Sequence, residues 1–359
     1  MKHIVPTSCY RFFGILFLTA LIAAGCSDST TDPGDPGTDA GPVLDDVATK
    51  VILATYIDLD AKAGALESAV TTLNTATTDQ NLAAAQQAWR DARRPWEQSE
   101  AFLFGPVDTK GIDPSIDDWP VNKADLDAVL ASGDALTKEY IDGLDGSLKG
   151  FHTIEYLLFG VGASKTAAQL TPRELEYLTA VTQSFKGETS ELRTSWEPSG
   201  ENFVAELAGA GEEGSIYTSQ ADALQEVVAG MIGICDEVAS GKISGPYSEQ
   251  DRTKEESQFS DNSNADFQDN IRSVRNLYRG YYTGTSGNGI GSLVEEKNPT
   301  LHAKVGQQIE AAITAIGEMQ PSFGEAIFSN KEKVDAAIDA INELKQTLEG
   351  EVMPIMQNM

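Results

Sequence analysis

Apolar residues recur every three or four positions along almost the whole of this chain, and that spacing restricts it to packed helices. Leu44, Val47, Val51, Leu59, Leu66, Val70 and Leu73 form one stripe, and Leu82, Ala85, Trp89, Trp96 and Leu103 a second. A third, Leu175 to Trp196, follows Thr171-Pro172, a cap residue with a first-turn proline. Four more run from Leu224 to Val238, Phe267 to Tyr281, Leu301 to Ile316 and Val334 to Val352. Cys235 lies within such a stripe and reads as packed core. No alternating stretch is long enough to specify a sheet. The expected fold is all-α, with two antiparallel four-helix bundles packed side by side, at 43–200 and 201–359. The polar, Gly-rich segment 198–215 is the expected boundary. Connections at 105–150, 243–263 and 283–298 exceed ordinary helix–helix loops, which marks them as candidates for function.

The first residues read as an address. Met1-Lys2-His3 and Arg11 precede the apolar run Phe12 to Ala24, which is shorter than a membrane span needs. The run ends Leu21-Ile22-Ala23-Ala24-Gly25-Cys26, which looks like a bacterial lipobox. The alternative is an ordinary signal peptide with an incidental cysteine. The expectation is removal of 1–25, lipidation of Cys26, and an acidic Pro/Gly tether over 26–42. This makes the protein an exported lipoprotein of the outer membrane, facing the periplasm or the surface, with membrane contact through the lipid alone. The chain carries 26 Lys+Arg against 55 Asp+Glu, a formal charge of −29. Such a surface repels phosphate backbones and excludes nucleic acid as a partner.

Three places break the helical pattern. On the second stripe, Arg93 and Glu100 fall on the face that should be buried, and Pro95 should kink the helix beside them. A buried charge needs a partner or a ligand, so these two either pair with another helix or line a cleft. Next, His152 and Glu155 stand one helical turn apart in the apolar segment Gly150-Phe-His-Thr-Ile-Glu-Tyr-Leu-Leu-Phe-Gly160. The pair can share a metal ion, the acid can orient the imidazole, or both can be plain core. The last is the polar run Glu255 to Asn270, where Ser260 to Ser263 are candidate caps for the helix that follows. His302 begins a later stripe and reads as an exposed or core histidine. A zinc hydrolase normally offers three protein ligands, so a third would have to come from a carboxylate such as Glu97 or Glu100, or from the polar loop.

At these residues the chain resembles the imelysin-like proteins, also classed as peptidase family M75 and as iron-regulated protein A. The resemblance rests on Gly150-x-His152-x-x-Glu155 and on Trp96-Glu-Gln-Ser-Glu-Ala-Phe-Leu-Phe-Gly-Pro106. It extends to Trp89-x-x-x-Arg93, Trp119-Pro120, Asp236-Glu237 with Gly241-Lys242, and Glu256-Ser257-x-Phe-Ser260, across residues 43–355. Gln258 stands where relatives often carry Arg or Pro. The resemblance implies two four-helix bundles with the His-x-x-Glu site near their junction, in exported proteins of iron or haem acquisition. It implies a cleft of Arg93, Glu97, Glu100, His152, Glu155 and Ser257, with His152, Glu155 and Glu100 as metal ligands.

Two function classes follow, with a third held in reserve. In the first, the chain binds a divalent metal, iron or an iron complex, alongside other uptake components. In the second it is an M75-type metallopeptidase, with His152 and Glu155 as the catalytic candidates. The third is a module for an organic ligand or partner protein, without metal.

Overall fold

In the computed structural model the described residues are 39–359. The expected signal peptide, Cys26 and most of the tether lie outside them. The fold is all-α, as the apolar spacing requires. Eight long helices carry it: α1 (Leu53–Thr75), α2 (Asp79–Glu97), α3 (Gly150–Phe159), α4 (Pro172–Trp196), α5 (Gln220–Asp236), α6 (Ser263–Arg279), α7 (Pro299–Gly317) and α8 (Lys331–Thr347). The expected Thr171 cap forms: its side chain accepts from the Glu174 amide while Glu174 returns to the Thr171 amide. Among the described residues, the strands are Tyr281–Tyr282 and Thr285–Ser286, a short antiparallel hairpin.

Helix α1 packs along α2 and α4, with α3 against both α2 and α4. Helix α7 packs between α6 and α8, and α5 lies against α6 and α8. The two groups meet where α2 touches α6 and where α5 touches the turn Glu100–Phe102. That second contact is backbone-close: a Cβ on Gly230 of α5 would come within 2.1 Å of the Ala101 carbonyl oxygen. The helix that begins at Gly41 runs into α1 through a π-helical segment, Val47–Ile52, and packs against α5 and the short helix Val204–Ala208. Cys235 is fully buried in the core, and His302 stacks on Tyr278 with ring centroids 5.5 Å apart.

Candidate metal centre

The site begins with the end of α2. Pro95 lies in its last turn, the helix stops at Glu97, and Glu100 follows in a 3₁₀ turn, Glu100–Phe102. Arg93 and Glu100 are buried, as the stripe required, and so is Glu97. Arg93 is the hub. Its Nη2 lies 2.6 Å from Glu97 and 2.9 Å from Glu256, its Nη1 pairs with Asp117, and its Nε lies 3.7 Å from Asp266. The guanidinium also sits over the Phe151 ring, 5.0 Å from its centroid.

His152 arrives on α3, and a glycine sets where. Gly150 opens the helix at φ +71°, and a Cβ there would lie 2.3 Å from the Ile116 carbonyl oxygen. That close backbone approach brings the next residue, Asp117, to His152. Asp117 Oδ1 lies 3.1 Å from His152 Nε2, although the imidazole nitrogen makes no aligned hydrogen bond. The other carboxylate oxygen of Asp117 accepts from Trp96 Nε1 at 2.5 Å.

Glu155 faces the other way. Its Oε2 lies 3.4 Å from His152 Nδ1, and its Oε1 accepts from the Phe259 and Ser260 amides and the Ser260 hydroxyl, at 3.1, 2.8 and 2.7 Å. Glu155 thus fastens the long loop to α3 and orients the imidazole. Ser260 spends its hydroxyl there instead of capping α6. The cap position itself is Asn262, whose side chain donates to Asp266 at 2.7 Å. Ser257 is fully buried, and its amide donates to Ser263 Oγ.

The same loop supplies Glu256. Two groups of ligand atoms then converge, each within 4.8 Å of one another: Asp117, His152 and Glu256, and Glu97, Glu100, Asp117 and Glu256. Lys242 reaches into the second group, 2.8 Å from Glu100 and 3.0 Å from Glu256. Of the expected cleft, Arg93, Glu97, Glu100 and His152 come together. Glu155 supports from behind, and its oxygens belong to neither group. Asp117, Lys242 and Asp266 had no site role in the sequence reading, because an irregular segment, a π-helical turn and a helix end show no apolar period that would single them out. The signal available was the runs they stand in, Asp117-Asp-Trp-Pro and Gly241-Lys242.

The charge state follows from burial. Burial drives Glu97 and Glu100 well above the ordinary carboxylate range, with Arg93 and Lys242 pulling back. Asp117 goes the opposite way: against burial, Arg93 and then His152 hold it well below that range. Burial would depress His152, but the carboxylates of Asp117 and Glu155 raise it to about 9. Asp266 is raised to about 7, mainly by burial. Burial, more than any shortage of cations, thus governs the raised acids at this centre. Among its buried polar atoms, Arg93 Nε, Glu97 Oε1, His152 Nε2, Glu256 Oε2 and Asp266 Oδ2 have no aligned hydrogen-bond partner, although Glu97 and His152 keep ion-pair contacts.

The chain is 31% identical over 313 residues to iron-regulated protein A of Synechococcus elongatus, which is 86% of this chain and 84% of that one. A crystal structure from Parabacteroides distasonis, described as an iron-regulated protein A precursor, matches with a TM-score of 0.81 at 30% identity, over 90% of this chain and 97% of that one. An imelysin-like protein from Psychrobacter arcticum shares the fold at 13% identity, with a TM-score of 0.74 and the same coverages. The family model for imelysin, peptidase family M75, matches residues 52–349, and the chain belongs to that family.

Proposed function

We propose that this chain is an exported lipoprotein, anchored at Cys26, that binds a metal cation or a small iron complex in iron or haem acquisition. One observation carries the reading: Asp117, His152 and Glu256 each bring a ligand atom within 4.8 Å of the others, and Glu256 Oε2 is buried without a hydrogen bond. Leaving such an atom unpaired is costly unless a ligand takes it. Asp117, His152 and Glu256 would hold the cation, a mixed N/O set suited to iron or zinc. When bound, the cation would add positive charge beside Asp117 and Glu256, which Arg93 and Lys242 already contact. Iron is the choice favoured by the names of the relatives.

Binding is favoured over peptide hydrolysis because the side chains of His152, Asp117, Glu256, Glu97 and Glu100 are each at most a tenth exposed. An extended polypeptide cannot reach atoms so enclosed. The test is metal analysis of the purified chain, with ferrous and zinc titrations of wild type and His152→Ala, beside a protease assay on unfolded substrates. The expected result is stoichiometric metal, at least tenfold weaker in His152→Ala, and no hydrolysis. Hydrolysis abolished by that substitution would establish the peptidase instead. Absence of both metal and hydrolysis would refute either reading.

A further inference from the structure

One residue on from Arg93 and from Glu97, helices α2 and α6 line a polar cavity with an excess of arginine. It measures about 360 Å³, opens to solvent, and is lined by Arg94 and Gln98 from the end of α2, Asp269, Arg272, Arg275 and Asn276 from α6, and Tyr281 and Thr283 from the hairpin.

Three of its eight lining residues are arginines, in a chain with a formal charge of −29. Their partners do not balance them. Asp269 is buried, accepts from Arg272 Nη1 at 2.8 Å, and also accepts from Gln98 at 2.7 Å. Glu310, outside the lining, is 2.9 Å from Arg279 but 4.0 Å from Arg275. Arg94 is exposed, and among the described residues no acid lies within ion-pair distance of it. Arg272, Arg275 and Arg279 follow one another at i, i+3 and i+7 along α6, a like-charge row that costs helix stability unless something compensates it. Burial, with Arg272 and Arg279 adding to it and Glu310 opposing, pulls the Arg275 guanidinium below its ordinary value.

The rest of the lining suits an anion of several oxygens. Guanidinium groups present paired N–H donors matched to carboxylate and phosphate. Asn276 donates to Gln98 Oε1 at 2.9 Å, which fixes the cavity floor. Tyr281, 46% exposed, and Thr283 stand at the hairpin and offer hydroxyl groups. We propose that this arginine-lined cavity binds a small soluble polyanion carrying two or more carboxylate or phosphate groups. The net negative charge of the chain repels large polyanions such as nucleic acid, while the local excess of arginine holds a compact one.

Calorimetric titration of the full purified chain with tricarballylate and with pyrophosphate tests this. The expected result is saturable one-to-one binding of at least one probe, weakened by added salt. Binding should fall at least tenfold in Arg94→Gln/Arg275→Gln. It should stay within twofold in Lys331→Gln, which removes one exposed charge remote in sequence, and in His152→Ala, which separates this cavity from the metal centre. Should the double variant melt differently from wild type, each single substitution is read instead, with a several-fold loss expected. Saturable heat from neither probe, or equal loss in Lys331→Gln, overturns the proposal.

Discussion

Arg93 has four acids around its guanidinium and no exposure, so its substitution shows what the network is worth. Taking one charge out of a buried network leaves the others unpaired, a loss of about 3–5 kcal/mol. Arg93→Met, close in volume, should therefore lower unfolding stability by about that amount at pH 7.5, measured by urea denaturation. A loss below about 1 kcal/mol would show that the acids around it simply take up protons, at little cost. Sequence alone located this residue, because a charge on an apolar stripe has few explanations. The same reasoning placed Glu100 in the interior, although the chain leaves the helix at Glu97 and reaches Glu100 through a 3₁₀ turn. Glu155 shows where residue reasoning ran short. Its spacing from His152 was visible, but its three donors come from a loop more than a hundred positions away.

Among elements, α3 depends on a glycine that no side chain can replace. Gly150 combines a left-handed backbone with the Ile116 carbonyl where a Cβ would go. Alanine there meets both the strain of φ > 0 and a collision with main chain. Gly150→Ala should cost at least about 2 kcal/mol of stability. It should also weaken metal binding more than its fold loss explains, since the shifted backbone carries Asp117 away from His152. Circular dichroism melts beside a metal titration read both effects, and an unchanged affinity would show that the loop adapts. The helices themselves were legible because burial repeats with their period. Two of the three long connections were legible only as places to look: 105–150 delivers Asp117, and 243–263 delivers Glu256 and Ser260. Their residues owe their positions to tertiary contacts such as Ile116 against Gly150, which leave no mark in local sequence. The π-helical segments Val47–Ile52, Glu237–Ile243 and Leu348–Val352 were equally hidden, since their wider turns are a matter of backbone hydrogen bonding that side-chain type does not report.

Across the molecule, the excess of acid is partly interior, and that sets the direction of its pH response. Burial is the leading cause that raises Asp113, Glu188 and Asp269, and Asp113 reaches about 6. Unfolding returns Asp113 to about 3.8, so between those values the folded chain holds a proton that the unfolded chain releases. Stability from this group is thus present in full below the lower value and is lost as pH rises through the upper one. The shift corresponds to about 3 kcal/mol at most. Asp113 has further acids nearby, Asp117, Glu237 and Asp118, with only Lys242 opposing them, so no close partner repays its charge. Asp113→Asn should therefore leave stability almost unchanged at pH 4 and raise it at pH 7.5 by up to about 3 kcal/mol. Urea unfolding of wild type and variant at the two pH values separates this from a packing effect, which would be the same at both. An equal change at each pH would place the cost in shape and remove charge burial as its cause. A larger gain at pH 4 would reverse the sign and contradict the raised acid altogether.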